Sequence, residues 1–400
     1  MTAATAGPVE EFATGLRTTR VRRTPDGRHE WWHGPGTDRD GPPAAPLAAA
    51  VPAHTAGARL VVPRPSEGGL SYLADGPYSA AAWLRDPRPA VRLLLAHALA
   101  GAGQALRDLH AGAVPDGADV PPALARLRSF LDRGAEGTAD GPHAPAAVPY
   151  APAAAPYASD GVPYAPATVP HASDGVPYAP ATVPYASDAV PHASDGVPYA
   201  PATVPHASDA VPHATATAPY APATASYPPA TAPHEPAVAR LREHAVRTWG
   251  AARVGRLRSW CAELTEPGGA VLVHGFASLG ALIPPLRRGP VALLTGEDLG
   301  AARPELDLGW LLGDLAELDW ALPVPAHPDG PELPRVLLDA YGPGADRELT
   351  GRAAVVRVAA HMRDFAAYCG WSDELADYTA FIADLIDEEG RRAVLGGATP

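Results

Sequence analysis

The chain has 400 residues, enough for two domains or one large one, and its 49 prolines, about twice the usual share, predict a long segment that does not fold. A formal net charge of −13 argues against a nucleic-acid binder, and no run approaches the roughly 18 apolar residues of a membrane span. Two cysteines, Cys261 and Cys369, make neither a disulfide framework nor a thiolate metal site. The opening MTAATAGPVEEF lacks the basic flank and apolar stretch of a secretion signal, so the expected location is the cytoplasm. All 31 basic residues are arginine, which excludes Schiff-base chemistry, a P-loop lysine and a lysine clamp on ATP.

Residues 1–85 are rich in Pro and Gly, with strand-like pieces at Arg59–Val62 and Leu70–Leu73 and a loop at 41–57. From Asp86 the pattern turns helical. Pro87 and Pro89 suit a first turn, and Val91, Leu94, Leu95, Ala98, Leu99, Ala102, Leu106 and Leu109 follow at helical spacing. GAGQAL (101–106) has two of the three glycines of a dinucleotide fingerprint. It sits inside this helix rather than at a strand–helix turn, so these are helix-packing glycines. A second helix is expected over Pro121–Asp132.

A seven-residue repeat runs from Val148 to about Val238, in units such as VPYAPAT and VPHASDG. Proline at the second position of nearly every unit removes a helical N–H and rules out a coiled coil. The tract is expected to be an extended, disordered, low-complexity insert. Its His171, His192, His206 and His213 are read as solvated repeat positions rather than a metal site. Beyond it the spacing predicts a helix over Ala237–Leu264, a break at Gly268-Gly269 and a strand at Ala270–Val273. Short β pieces at Leu282-Ile283 and Val291–Leu294 precede helices over Glu305–Leu318, Ala353–Cys369 and Asp373–Glu389. The expected segments are therefore 1–85 (strand-bearing), 86–147 (start of a helical lobe), 148–238 (insert), 239–390 (remainder of that lobe) and 391–400 (tail).

Chemistry belongs in the segment 270–300. His274-Gly275-Phe276 after a strand could open an α/β-hydrolase, but no G-x-S-x-G elbow follows; Ser278 and Ser372 are the only serines left and neither has one. The order of four motifs resembles the aminoglycoside-phosphotransferase-like kinases instead: ALAGAGQALRDLH (98–110), VLVHGFASLGAL (271–282), VALLTGEDLG (291–300) and ARPELDLGWLLGDL (302–315). The resemblance covers roughly 86–134 and 237–390. It implies an α+β, bilobal protein-kinase-like fold with a reduced N-lobe and a helical C-lobe.

The same resemblance implies that the chemistry is missing. Phe276 stands where the family has its catalytic aspartate and Ala281 where it has a metal-binding asparagine. Thr295 replaces the metal-binding aspartate, and no lysine can clamp phosphate. Phosphoryl transfer depends on positioning and on metal-neutralised charge, so losing these together implies a silent kinase that needs no cofactor. Asp307 matches an aspartate that braces the catalytic loop, and His274 is read as a packing residue of that loop. Glu297 and Asp298 are the acids that could take over as metal ligands, in which case ATP and Mg²⁺ would be needed.

Degenerate members resemble the kinase-like components of class V lanthipeptide and thioamitide-type peptide biosynthesis. That resemblance implies a precursor peptide and a lyase-like protein as partners, with no nucleic acid and no membrane. Phe276 and Leu279 are the residues expected to be exposed for partner binding. An active atypical phosphotransferase and a stand-alone scaffold remain the alternatives.

Overall fold

A computed structural model describes residues 10–39, 41–84, 86, 88–133, 235–286, 290–321 and 332–396. Of the insert expected over 148–238, residues 148–234, with His171, His192, His206 and His213, lie outside the described residues, whereas 235–238 already belong to a helix that begins at Glu235. The described part belongs to one compact unit formed by Met1–His143 with Ser226–Pro400.

Its N-terminal lobe is an antiparallel sheet in the order β1 (Glu10–Ala13), β2 (Arg17–Arg23), β3 (His29–Pro35), β6 (Gly69–Ala74), β5 (Arg64–Ser66). Period-two alternation puts Arg17, Thr19 and Val21 on the inner face of β2. His29, Trp31 and His33 do the same on β3, and Leu70, Tyr72 and Ala74 on β6. The register sets Trp31 opposite Tyr72, and the Trp31 indole donates to the Gly76 carbonyl at 3.0 Å. Sequence reasoning missed β1–β3, because RTTRVRR carries a single aliphatic residue and its alternation is nearly invisible in polarity.

β4 (Arg59–Val61) leaves this sheet. It pairs in parallel with β9 (Ala292–Leu294), which also pairs antiparallel with β8 (Leu282–Ile283) as the expected hairpin. This backbone stitch ties the N-terminal lobe to the catalytic-loop region. A second pair, β7 (Val271–Val273) with β10 (Gly300–Ala302), closes the base of the 274–281 loop.

The helical lobe contains α1 (Ala80–Leu84), α2 (Pro89–His110), α3 (Pro122–Asp132), α4 (Glu235–Leu264), α5 (Glu305–Ala321), α6 (Leu333–Tyr341), α7 (Arg347–Cys369), α8 (Glu374–Asp387) and α9 (Arg391–Leu395). The glycines of α2 serve packing, as expected. A Cβ on Gly101 would press on Ala58 and one on Gly103 on the Leu337 carbonyl of α6. Two expectations need correction. The helix over 237–264 is broken at Gly250, whose φ of +68° only glycine adopts readily. Residues 391–395, read as part of a tail, form α9, whose Ala393 and Val394 are buried against the core. Asp346 caps α7, its Oδ1 accepting from the Glu348 and Leu349 amides at 2.9 and 3.2 Å. Helix α5 is buried on almost every face, so its few polar side chains must have internal partners.

The α+β layout, with a small sheet-rich lobe followed by a helical one, matches the two-lobed layout expected. Among the described residues no helix is long and apolar enough to cross a membrane.

Candidate functional site

The loop 274–281 leaves β7 at the junction of the lobes and is held from beneath by α5. Asp307, fully buried, accepts from the His274 amide at 2.6 Å and the Gly275 amide at 2.8 Å. Its Oδ2 also lies 3.0 Å from Nε2 of His110, at the end of α2, and His110 Nδ1 lies 3.0 Å from the Tyr341 hydroxyl. Gly275 has φ +75°, and a Cβ there would collide with the Asp298 carbonyl. Two turns further along α5, Asp314 accepts from the Leu279 amide at 2.6 Å.

Each residue singled out in the sequence has a definite place. His274 is buried and donates from Nε2 to the Leu294 carbonyl at 2.9 Å, while Nδ1 faces the Phe276 amide at 3.4 Å. Burial lowers its basicity, so the ring is a neutral bridge between loop and β9. Phe276 is half-buried on the cleft wall, with the Arg17 guanidinium 5.5 Å from its ring centroid. Ala281 lines the cleft without a polar side chain, and its carbonyl accepts from the Leu294 amide at 2.9 Å.

Thr295 is buried, and its hydroxyl donates to the Val61 carbonyl of β4 at 3.0 Å. Glu297 is clamped by both terminal nitrogens of Arg39, one at 2.6 Å. Asp298 is half-buried on the same loop. Burial and the neighbouring Glu297 charge push its carboxyl up to about 6 against the pull of Arg17 and Arg126. One expectation is overturned: Leu279 is fully buried against α2 and β9 in the main core, so it offers no surface to a partner. The Asp314 hold on its amide turns the side chain inward.

These residues border a cavity of ≈ 590 Å³ between the lobes. The roof is the inner face of the sheet, with Arg17, His33 and Tyr72; the floor includes Phe276, Trp310, His361 and Phe365. Burial, with Arg17 beside it, holds the His33 imidazole well below its usual range, and Nδ1 lies 3.4 Å from Arg17 Nη1. Under the floor, Arg357 pairs with both Asp314 and Glu317, and Glu317 also accepts from Tyr378. His361, exposed at the edge of the floor, has its Nδ1 2.5 Å from Glu317 Oε1.

The residues present do not fit ATP·Mg²⁺. The Thr295 hydroxyl is spent on β4, both Glu297 oxygens are spent on Arg39, and Asp298 alone is a poor site for a cation that takes several oxygen ligands. Among the described residues no group of three or more His, Cys, Asp or Glu side chains is placed to hold a metal ion. Sequence reasoning missed Arg17, Arg39 and Asp314. The first two sit in the unread β2–β3 region. Asp314 was legible as the residue seven after Asp307, on the same face of α5.

No protein-family model matches the chain, and no curated protein matches it. Several solved structures resemble it, three of which follow. An aminoglycoside phosphotransferase from Streptomyces rimosus shares 15% identity over 89% of this chain and 93% of its own, with a TM-score of 0.33. An ethanolamine kinase from Plasmodium vivax shares 9% over 96% and 83%, with a TM-score of 0.46. A choline kinase from Cryptosporidium parvum shares 8% over 98% and 91%, with a TM-score of 0.42. At these values no residue role is transferred from them.

Proposed function

We propose that the protein is a catalytically silent, kinase-like subunit whose interlobe cleft binds rather than reacts. The occupant is a precursor peptide, a lyase-like partner acting in Ser/Thr dehydration, or both in turn. One observation carries this reading: the loop's scaffold is complete while each of its catalytic positions is spent on packing or structure. Asp307 holds the loop amides as a working kinase loop requires, yet Phe276 presents a ring to the cleft and Thr295 turns its hydroxyl to β4. The peptide-modifying setting rests on the sequence resemblance alone.

The experiment is co-purification of the full chain from its host, followed by the Phe276→Asp variant. The reading expects a peptide or protein partner whose affinity falls at least ten-fold in a folded F276D protein. Unchanged affinity removes the cleft as the binding surface. A chain that elutes alone and phosphorylates a peptide unaided replaces this reading with the enzyme one. Asp298 is the observation that favours that second reading, being an acid on the cleft wall without a hydrogen-bond partner among the described residues.

A further inference from the structure

We propose that the cleft takes a ligand bearing both an anionic and a cationic group beside an apolar body, with Arg17 receiving the anion and Asp298 the cation. This rests on the reading of the cleft as a binding site. The other charged side chains bordering the cavity are already matched. Glu297 is spent on Arg39, Asp364 on Arg126, and Arg357 on Asp314 and Glu317. Arg17 and Asp298 are what remain: both border the cavity, and among the described residues neither forms an ion pair.

The two come from different elements. Arg17 descends from the roof, on the inner face of β2. Among the described residues its one polar side-chain contact is the long 3.4 Å approach to His33 Nδ1, and its guanidinium lies over Phe276. Asp298 comes from the loop between β9 and β10, where the backbone of Gly275 packs against its carbonyl. The Phe276 and Tyr72 rings border the same cavity. Each charged side chain is half-buried without an ion-pair partner in contact, and the pull of Arg17 and Arg126 on Asp298 only partly offsets its burial. A ligand of complementary sign supplies the missing contacts, and the rings select an apolar body. A cavity of ≈ 590 Å³ suits a small ligand or a few residues of chain. Two sources share this chemistry, a peptide segment of mixed charge and a free apolar amino acid.

The test is calorimetric titration of the full chain with two sets of probes. One is a pair of capped tripeptides carrying phenylalanine between glutamate and arginine, in both orders. The other is a set of free leucine, methionine, phenylalanine and tryptophan. Controls replace glutamate by glutamine, arginine by citrulline, and phenylalanine by phenethylamine or 3-phenylpropanoate. At least one mixed-charge probe should bind saturably and weaken ten-fold or more when either charge is removed. Arg17→Gln should abolish sensitivity to the anion, and Asp298→Asn sensitivity to the cation.

The set that binds identifies the source. No saturable binding at millimolar concentrations, or binding indifferent to either neutralisation, overturns the proposal, and the ligand-side controls decide even if a variant fails to fold. ATP·Mg²⁺ binding is scored separately. A chain that binds neither nucleotide nor probes keeps the silent reading and loses only this inference.

Discussion

Asp307 and Asp314 stand two turns apart on one face of α5 and hold the two ends of one loop, the first through the His274 and Gly275 amides, the second through the Leu279 amide. The loop is thus clamped by backbone contacts that do not depend on what its side chains do. The loop can therefore keep its course whatever side chains it carries. Asp307→Ala would strand two buried amides and the His110 ring, each costing about 1–3 kcal/mol. The expected loss is roughly 3 kcal/mol or more in urea denaturation, with Asp307→Asn losing less than half of that. A loss below about 1 kcal/mol would show that the loop is held from elsewhere.

Asp298 supplies a pH signature. Its carboxyl sits at about 6 in the folded protein, raised from near 4. Between those values the native state holds a proton that the unfolded chain releases, so this group's contribution falls as pH rises and the penalty is complete above 6. Asp298→Asn should therefore stabilise the protein at pH 7.5, by about 1–2 kcal/mol after screening of a half-buried site. The advantage should fade as pH falls towards 4. Equal stability of the two proteins at both ends of that range would place Asp298 in free contact with water.

The Arg39–Glu297 pair joins the N-terminal lobe to the β9–β10 loop across the cleft mouth. Cysteine chemistry can read it. Cys369 borders the cavity and is half-buried, whereas Cys261 is buried and its thiol is pushed up to about 12. Alkylation therefore reports Cys369 alone. Arg39→Gln and Glu297→Gln should each speed it several-fold, and the double variant should match the larger single effect. Additive effects would mean that the two side chains act separately.

The helical lobe was largely legible because α2, α3, α5 and α8 carry apolar residues at helical spacing, and the motif order around His274 located the loop. Asp307 is read as a brace from its match to a family aspartate, and its carboxylate accepts from the His274 and Gly275 amides. The N-terminal sheet was not legible: Arg17, Thr19 and His33 are polar residues on an inward face, where their partners, not their hydropathy, make them internal. Leu279 misled because exposure was inferred from an aligned position, whereas the Asp314 contact that buries it is tertiary.

If the cleft binds without reacting, as proposed, calorimetric titration of ATP into the full chain, with and without Mg²⁺, shows no saturable Mg²⁺-dependent heat up to millimolar nucleotide. Micromolar Mg²⁺-dependent binding, lost in Asp298→Asn, would contradict that proposal and make Asp298 the metal ligand of a working phosphotransferase.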